Sequence, residues 1–298
     1  MAYQEITCSA AFRRVKGRFP FHWDLNPYRG CGHGCKYCFA VYSHRYLESD
    51  AFFDDIYVKT NIVEELEKQL RRPSWTREVI NIGGVTDSYQ QAEAHYRLMP
   101  EILRLLIQYK NPCIISTKSD LILRDFDLIA RLAELTYVNV ACTITCMDES
   151  IRRLLEPGGA PSRNRFGVLE AFSGTRVTTG LHVMPIIPFL TDTRENLAAL
   201  YASGREARVS YVLPGLLYLR GNTRQVFFSF IQRHFPGLYA PLQKLYGPGA
   251  SRKAYKAEFY RMERQLRTAF GLQSNYHQLM RDRLEHAEGT QLSFFDLM

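Results

Sequence analysis

Cys31, Cys35 and Cys38, in the run NPYRGCGHGCKYCFA, present three thiols at C-x-x-x-C-x-x-C spacing. A cubane [4Fe–4S] cluster is held by Cys thiolates and needs four ligands. No fourth Cys lies nearby, so a cubane bound here leaves one iron open to a further ligand. Gly30, Gly32 and Gly34 hem the cysteines, and without side chains they let the backbone wrap tightly around a bulky group. The competing metal reading is a structural zinc knuckle with His33 as the fourth ligand, since zinc accepts Cys and His. Zinc ligands usually come as two separated pairs, and the chain has no second C-x-x-C. A disulfide framework would strand an odd thiol among these three.

The elements that must position this loop follow a regular alternation. Apolar runs at Val79–Val85, Cys113–Thr117, Val138–Thr145, Val177–Pro185 and Val209–Leu213 predict strands. Between them, Asn61–Leu70, Ala92–Tyr109, Asp125–Leu135, Asn164–Phe172 and Arg194–Ser203 carry helical patterns. Strands alternating with helices predict parallel β/α units. A further strand just before Cys31 makes six units, an α/β fold closed as a partial (β/α)6 TIM-type barrel. Working residues of such barrels sit at the C-terminal ends of strands, where the cysteines and the glycine-rich GGVTD run fall.

Past Pro214-Gly215 the rhythm stops, so residues 1–215 read as the barrel and 216–288 as a helical extension. Val226–Phe235 reads as helix, and Pro236, Pro241 and Pro248 predict a loop-rich stretch. Ser251–Phe270 has apolar positions Tyr255, Phe259, Met262 and Leu266 on one helix face, with a basic opposite face. From Arg220 to the end there are twelve Lys/Arg against six Asp/Glu, so most of the chain's net charge of +8 lies there. That asymmetry favours a nucleic-acid partner over a solvated surface. No stretch has the apolar length of a membrane span. The lack of an export signal and the free-thiol chemistry predict a cytoplasmic protein.

The cysteine spacing, with the aromatic Tyr37 before the third Cys, resembles the radical S-adenosylmethionine (SAM) superfamily. The resemblance implies a [4Fe–4S] cluster on Cys31, Cys35 and Cys38 whose open iron is chelated by SAM. It also implies an electron donor such as flavodoxin or ferredoxin, and cleavage of SAM to methionine and a 5′-deoxyadenosyl radical. Gly83 and Gly84, at a strand end where backbone can approach a ligand closely, match the superfamily's glycine-rich motif for the SAM amino group. Thr86 and Asp87 supply acceptors beside it, and Lys118 can neutralise the SAM carboxylate. On the fourth strand Thr143 and Thr145 share one face, in the place where a threonine meets the SAM ribose; Cys142 and Cys146 lie on the other parity.

A finer resemblance covers roughly residues 20 to 215. NPYRGCGHGCKYCFA, TDSYQQAE, STKSDLILRD and LEPGGAPSRNRF…MPIIP are similar to the spore photoproduct lyase group, often labelled DNA repair photolyase. This implies an enzyme acting on DNA, a lyase or a related repair activity. In spore photoproduct lyase a cysteine immediately before the second-strand Thr/Ser-Asp returns the hydrogen. Here that place is GGVTD, with no Cys. The chain therefore departs from the standard lyase reaction, with Cys142 and Cys146 as the remaining candidate donors. Two other readings stand beside it: the same chemistry on a peptide or small molecule, and a non-catalytic iron–sulfur protein.

Gln291, Leu292, Ser293, Phe294 and Phe295 resemble the Q-L-[S/D]-L-F peptide by which bacterial repair proteins dock on the DNA sliding clamp. Gly289 and Thr290 predict that the preceding helix has ended, leaving residues 289–298 as an accessible tail. In that peptide class Gln makes polar contacts while Leu and the aromatics fill a groove.

Overall fold

Six parallel strands carry the predicted alternation. The computed structural model describes residues 2–17, 19–46, 51–219, 221–247 and 252–292, side chains of 45–46 and 286–292 excepted. The chain opens with β1 (Ala2–Ile6), β2 (Phe12–Arg14), β3 (Trp23–Leu25) and β4 (Tyr28–Arg29). After the cysteine loop and a 3-10 segment (Phe39–Tyr46) come β5 (Asp55–Lys59), α1 (Ile62–Leu70) and β6 (Ile80–Ile82). Then α2 (Gln91–Tyr96) and α3 (Leu98–Tyr109) lead to β7 (Cys113–Thr117), and α4 (Phe126–Leu135) leads to β8 (Val138–Thr143). Helices α5 (Glu149–Leu155) and α6 (Ser162–Ser173) precede β9 (Thr178–Ile186), and α7 (Arg194–Glu206) precedes β10 (Tyr211–Leu216). The extension holds α8 (Gly221–His234), α9 (Pro236–Tyr246), α10 (Arg252–Ala269) and α11 (Tyr276–Leu292).

The main sheet has the order β10-β9-β8-β7-β6-β3-β2, with β3 through β10 parallel and β2 antiparallel on the edge. The strand directly before Cys31 is not the barrel's first, as the alternation had suggested. That strand, β4, pairs with β5 in a separate three-stranded sheet, and Trp23–Leu25 takes the barrel position. Both are too short to show a period in sequence.

Register sorts each strand's side chains onto two faces. Leu25, Ile82, Ile115, Val140 and Leu181 lie on the helix side and join one large apolar core. The other face carries Asp24, Asn81, Ser116, Ala141, Thr143, His182 and Tyr211. Contacts across that interior are polar: Asn81 donates to Asp24 at 2.7 Å and the Tyr211 hydroxyl to Asn139 Oδ1 at 3.1 Å.

Three helices differ from expectation. The single helix over Ala92–Tyr109 is two, broken at Arg97, which adopts a left-handed φ of 52°. Pro100 has no N–H to continue the ladder, and the N–H groups of Leu98 and Met99 go instead to the Glu93 carboxylate at 3.0 and 3.1 Å. The proline-punctuated stretch after Phe235 is α9: Pro236 begins the helix, where its missing N–H costs nothing, while Leu242 and Leu245 are buried. Helix α5 has no counterpart in the expected elements; Asp148 caps it by accepting from the N–H groups of Ser150 and Ile151.

The extension shares its core with the cysteine loop. Leu217, Phe227, Phe228, Ile231 and Leu242 pack with Cys35 and Tyr37, and Thr223 Oγ1 donates to the Cys38 carbonyl at 2.9 Å. Phe259 and Leu266 of α10 are buried in the main core. The backbone of α11 is helical through Gly289 and Thr290 to Leu292, so the helix does not end where the glycine suggested. Phe294 and Phe295 lie outside the described residues. No helix among the described residues is long and apolar enough to cross a membrane.

Candidate active site

The cysteine loop leaves β4 through Gly30, whose φ of +79° favours glycine and whose Cβ would lie 2.6 Å from the Asp55 carbonyl oxygen. Cys31 and Cys35 are buried and Cys38 half-buried. The three thiols lie close enough to act on one another's ionisation. Two segments clasp the loop. Gln90 accepts from Gly32 N at 2.9 Å and donates to the Gly30 carbonyl at 3.1 Å; Thr86 Oγ1 donates to that same carbonyl at 2.6 Å. On the other side, Lys36 N donates to the Leu155 carbonyl and Gly158 N to the His33 carbonyl, each at 2.9 Å. Gly158 fits so closely that a Cβ there would lie 2.5 Å from the Gly32 carbonyl oxygen.

His33 joins the two clasps. Its Nδ1 lies 2.8 Å from the Gly158 carbonyl and its Nε2 2.9 Å from Asp87 Oδ2. With both ring nitrogens held by protein, His33 is not placed as the fourth ligand of a zinc knuckle. Asp87 also accepts from Lys118 N, Thr117 Oγ1 and Tyr89 N at 2.8, 2.8 and 2.9 Å. Burial pushes its carboxyl up, but His33 and these donors outweigh burial and hold it well below the usual carboxylate range. Both Asp87 oxygens are thus engaged, which makes Asp87 the anchor of the loop; no lone pair is left over for a ligand.

A second buried group flanks Cys35. The Tyr37 hydroxyl donates to Glu156. Glu156 Oε2 pairs with Arg165 Nη1 at 2.5 Å, an ion pair without hydrogen-bond alignment. Arg165 also donates to the carbonyls of Ala160 and Thr143 at 2.8 and 2.7 Å. Lys118 Nζ stands 5.8 Å from the centre of the Tyr37 ring. Burial disfavours the lysine's charge, yet Cys35 and Glu156 more than compensate and raise its pKa. Burial pushes the Cys35 thiol up to about 12, and the Lys118 charge pulls against that. A fixed cation beside Cys35 favours the thiolate that metal ligation needs.

A sequence model of this family covers the part of the chain that builds these contacts: the Radical SAM superfamily model matches residues 25–201. The chain belongs to the radical SAM superfamily. An uncharacterized protein of Mycobacterium tuberculosis (strain H37Rv) is 36% identical over 254 residues, 84% of this chain and 75% of that one. An uncharacterized protein of Methanocaldococcus jannaschii is 27% identical over 168 residues, 56% of this chain and 61% of its own. Among solved structures, a spore photoproduct lyase mutant with bound AdoMet and dinucleoside spore photoproduct superposes with a TM-score of 0.66. That match covers 90% of this chain and 79% of the lyase at 14% identity, and it shows a shared fold.

Radical SAM enzymes use a [4Fe–4S] cluster and SAM, and the residues here fit both. All seven cysteines are free thiols. Among the described residues no three His, Cys, Asp or Glu side chains converge on one ion, and a cubane, which spreads its thiolates over separate irons, does not ask for that. Gly83 has a φ of +90°, and at Gly84 a Cβ would meet the Asp24 carboxylate at 2.3 Å, so both positions of the GGVTD strand end require glycine. Arg165 Nη2 is buried against Gly159 with no hydrogen-bond partner among the described residues.

The remaining predicted residues separate. Lys118, Tyr37 and Thr143 gather at the Glu156–Arg165 pair, Thr143 through its carbonyl. Thr145 is buried beyond the end of β8, and its carbonyl accepts from Asn196 Nδ2 at 3.1 Å. Cys142 pairs in register with Thr117 and Leu181 and belongs to the helix-side core, where burial pushes its thiol up to about 12. Its thiol faces away from the barrel interior. Cys146 is buried in the loop after β8 with Sγ 3.5 Å from the Asp148 carbonyl, and burial pushes it up to about 11. Neither cysteine stands at the site where the lyase group carries one; that place is Val85, whose N–H donates to Asn26 Oδ1 at 3.0 Å.

Gln90, Glu156, Arg165 and His182 were not among the predicted site residues. The first three lie inside TDSYQQAE and LEPGGAPSRNRF, so the signal was present as a motif without a role. His182 projects into the interior, with Nε2 3.1 Å from the Tyr211 hydroxyl. Burial first, then the Lys118 charge, depresses its pKa to about 4, so the ring is neutral at physiological pH.

Proposed function

We propose that the protein is a radical SAM enzyme acting on DNA in repair or modification, by a reaction other than the standard spore photoproduct lyase one. The observation that carries the catalytic part is the three-thiol loop clasped by the GGVTD and LEPGG segments with Lys118 beside Cys35. In this reading Cys31, Cys35 and Cys38 hold the [4Fe–4S] cluster. The backbone at Gly83, Gly84 and Thr86 receives the SAM amino group, Lys118 neutralises the SAM carboxylate, and Thr143 with Thr145 borders the ribose. Asp87 positions the loop through His33. When bound, the cofactors supply reductive cleavage of SAM to methionine and a 5′-deoxyadenosyl radical that abstracts a substrate hydrogen. The chain's own task is to hold the substrate C–H against that radical and to exclude water.

The DNA part is supported by the basic extension and by the fold shared with spore photoproduct lyase. With Val85 in place of the lyase group's cysteine and Cys142 on the helix side, hydrogen return by a thiol falls to Cys146 or is not part of the reaction. The partners proposed are an electron donor such as flavodoxin or ferredoxin and, through Gln291, Leu292, Phe294 and Phe295, a DNA sliding clamp. The test is anaerobic reconstitution with iron and sulfide, then reduction with SAM. The expected products are methionine and 5′-deoxyadenosine, with DNA-dependent change of a lesion-bearing oligonucleotide. Stoichiometric zinc without iron, or no SAM cleavage, refutes the catalytic reading; turnover on a peptide or small molecule alone refutes the DNA reading.

A further inference from the structure

Two large aromatic side chains remain exposed just past the C-terminal ends of barrel strands: Phe189 after β9 and Tyr218 after β10. Phe189 and Tyr218 are 42% and 50% exposed. Phe189 also holds a left-handed φ of 64°. A non-glycine residue in that region is strained, and such residues concentrate at functional sites. The exposed part of each ring is apolar area that a ligand could cover.

The first turn of α10 links the two rings. Tyr255 packs against Phe189 with ring centres 5.5 Å apart, and its hydroxyl donates to Asp192 in the same loop. Arg252, one turn earlier, stands 5.9 Å from the Tyr218 ring and 4.8 Å from that of Tyr246. From this turn an open face of α10 presents Lys253, Lys256, Tyr260, Arg261 and Arg264, with no acidic residue among them. These four cations are exposed, and among the described residues none is in an ion pair. Lys256 stands 5.7 Å from the centre of the Tyr260 ring; of the helix's other cations, Arg267 pairs with Glu263, and Arg252 meets the aromatic pair and the Leu217 carbonyl. The neighbouring flank, which holds Tyr255, Asp192 and Glu258 with Arg194, shares Arg261 with this face, so the cations without an acidic neighbour there are Lys253, Lys256 and Arg264.

Resting on the DNA reading above, we infer that Phe189, Tyr218 and this side of α10 form a docking ledge for single-stranded or locally unpaired DNA at the barrel mouth. Phosphates run along Lys253, Lys256 and Arg264, and unpaired bases stack on the two rings. Stacking platforms beside a basic track are the physical pattern of single-strand binding. A duplex hides its base faces and could use only the cations. An unpaired base held on the ledge lies just past the C-terminal ends of β9 and β10.

The test uses the full-length reconstituted protein and a fluorescein-labelled 12-nucleotide oligo(dT), read by anisotropy at several salt concentrations. The expected result is tighter binding of the single strand than of a perfect 12-bp duplex. Phe189→Ala and Tyr218→Ala should each lower affinity about 5- to 100-fold, and Tyr218→Phe, which keeps the ring, should bind as wild type. Replacing Lys253, Lys256 and Arg264 together with Gln should reduce the slope of log K against log salt by about 2. Iron content and DNA-independent 5′-deoxyadenosine formation should stay at wild-type levels in all variants. Wild-type affinity in both aromatic variants, equal or tighter binding of duplex, or tighter binding of the matching RNA overturns the inference. A protein that cleaves SAM but fails these binding tests loses the ledge and keeps its chemistry. One that binds oligo(dT) on the ledge but takes up no cluster loses the catalytic reading instead.

Discussion

The His33 imidazole spans the two segments that hold the cysteine loop, with Nε2 2.9 Å from Asp87 Oδ2 and Nδ1 2.8 Å from the Gly158 carbonyl. Asp87 belongs to the GGVTD strand end and Gly158 to the LEPGG turn after α5. One ring inside the cysteine motif therefore ties the loop to two β/α units far apart in sequence.

Cys35→Ala should abolish cluster and activity together. The reconstituted wild type should hold about four irons per chain, and the variant should show neither the visible iron–sulfur absorption nor SAM cleavage. Iron analysis with an absorption spectrum checks both.

Lys118→Met should weaken SAM binding by about 1–3 kcal/mol, the range for a charge-assisted hydrogen bond, with iron content preserved. Equilibrium binding of SAM to the reconstituted protein is the measurement. Unchanged affinity would leave the lysine with only its electrostatic effect on Cys35.

Asp87→Asn should destabilise the fold by about 3–5 kcal/mol, because it breaks a buried pair and turns an amide NH2 donor toward donors. The Asp87 carboxyl sits below its ordinary value in the folded state. Its ionised form therefore adds stability at neutral pH, and that contribution fades as the pH falls below about 4 toward the folded-state value. Denaturant unfolding of wild type and variant from pH 7 to pH 3 should show the difference between them shrinking with acid.

Gly158→Ala should block cluster assembly while the barrel still folds. The added methyl would lie 2.5 Å from the Gly32 carbonyl and 2.8 Å from His33 Cα, both backbone atoms of the cysteine loop. Overpacking of this kind costs about 1–3 kcal/mol, and here the strain falls on the loop. Normal circular dichroism with lost iron uptake is the expected pair of readings; full iron uptake would show that the clasp can yield.

Truncation before Thr290 should remove binding to a bacterial sliding clamp and leave SAM cleavage intact. A short docking peptide of this kind should bind with only micromolar affinity, about −8 kcal/mol. Calorimetry with the peptide of residues 289–298 checks the first part. Met280, earlier on α11, is buried against Val79, Ile114 and Tyr137, so the helix itself should remain docked after the cut.

The cysteine spacing, the six-fold alternation and the GGVTD strand end were legible in the chain because each depends on local order. Three thiols in one loop, a period of two followed by one of 3.6, and glycines at a strand end are properties of neighbouring residues. The Cys113–Thr117 strand matches its predicted bounds, and α1, α4 and α7 begin within a residue of theirs. What sequence could not rank was partnership over long separations. Asp87 and Lys118 look alike as polar residues at strand ends, yet the fold engages both Asp87 oxygens in the loop's support and leaves Lys118 beside Cys35. Thr143 and Cys142 are adjacent in one strand, and the pleat sends them to opposite faces, one to the interior and one to the apolar core. Glu156 and Arg165 became a buried pair only because α5 and α6 bring them together over Tyr37. Such choices are decided by strand register and helix packing, because burial makes an unpaired charge too costly to keep.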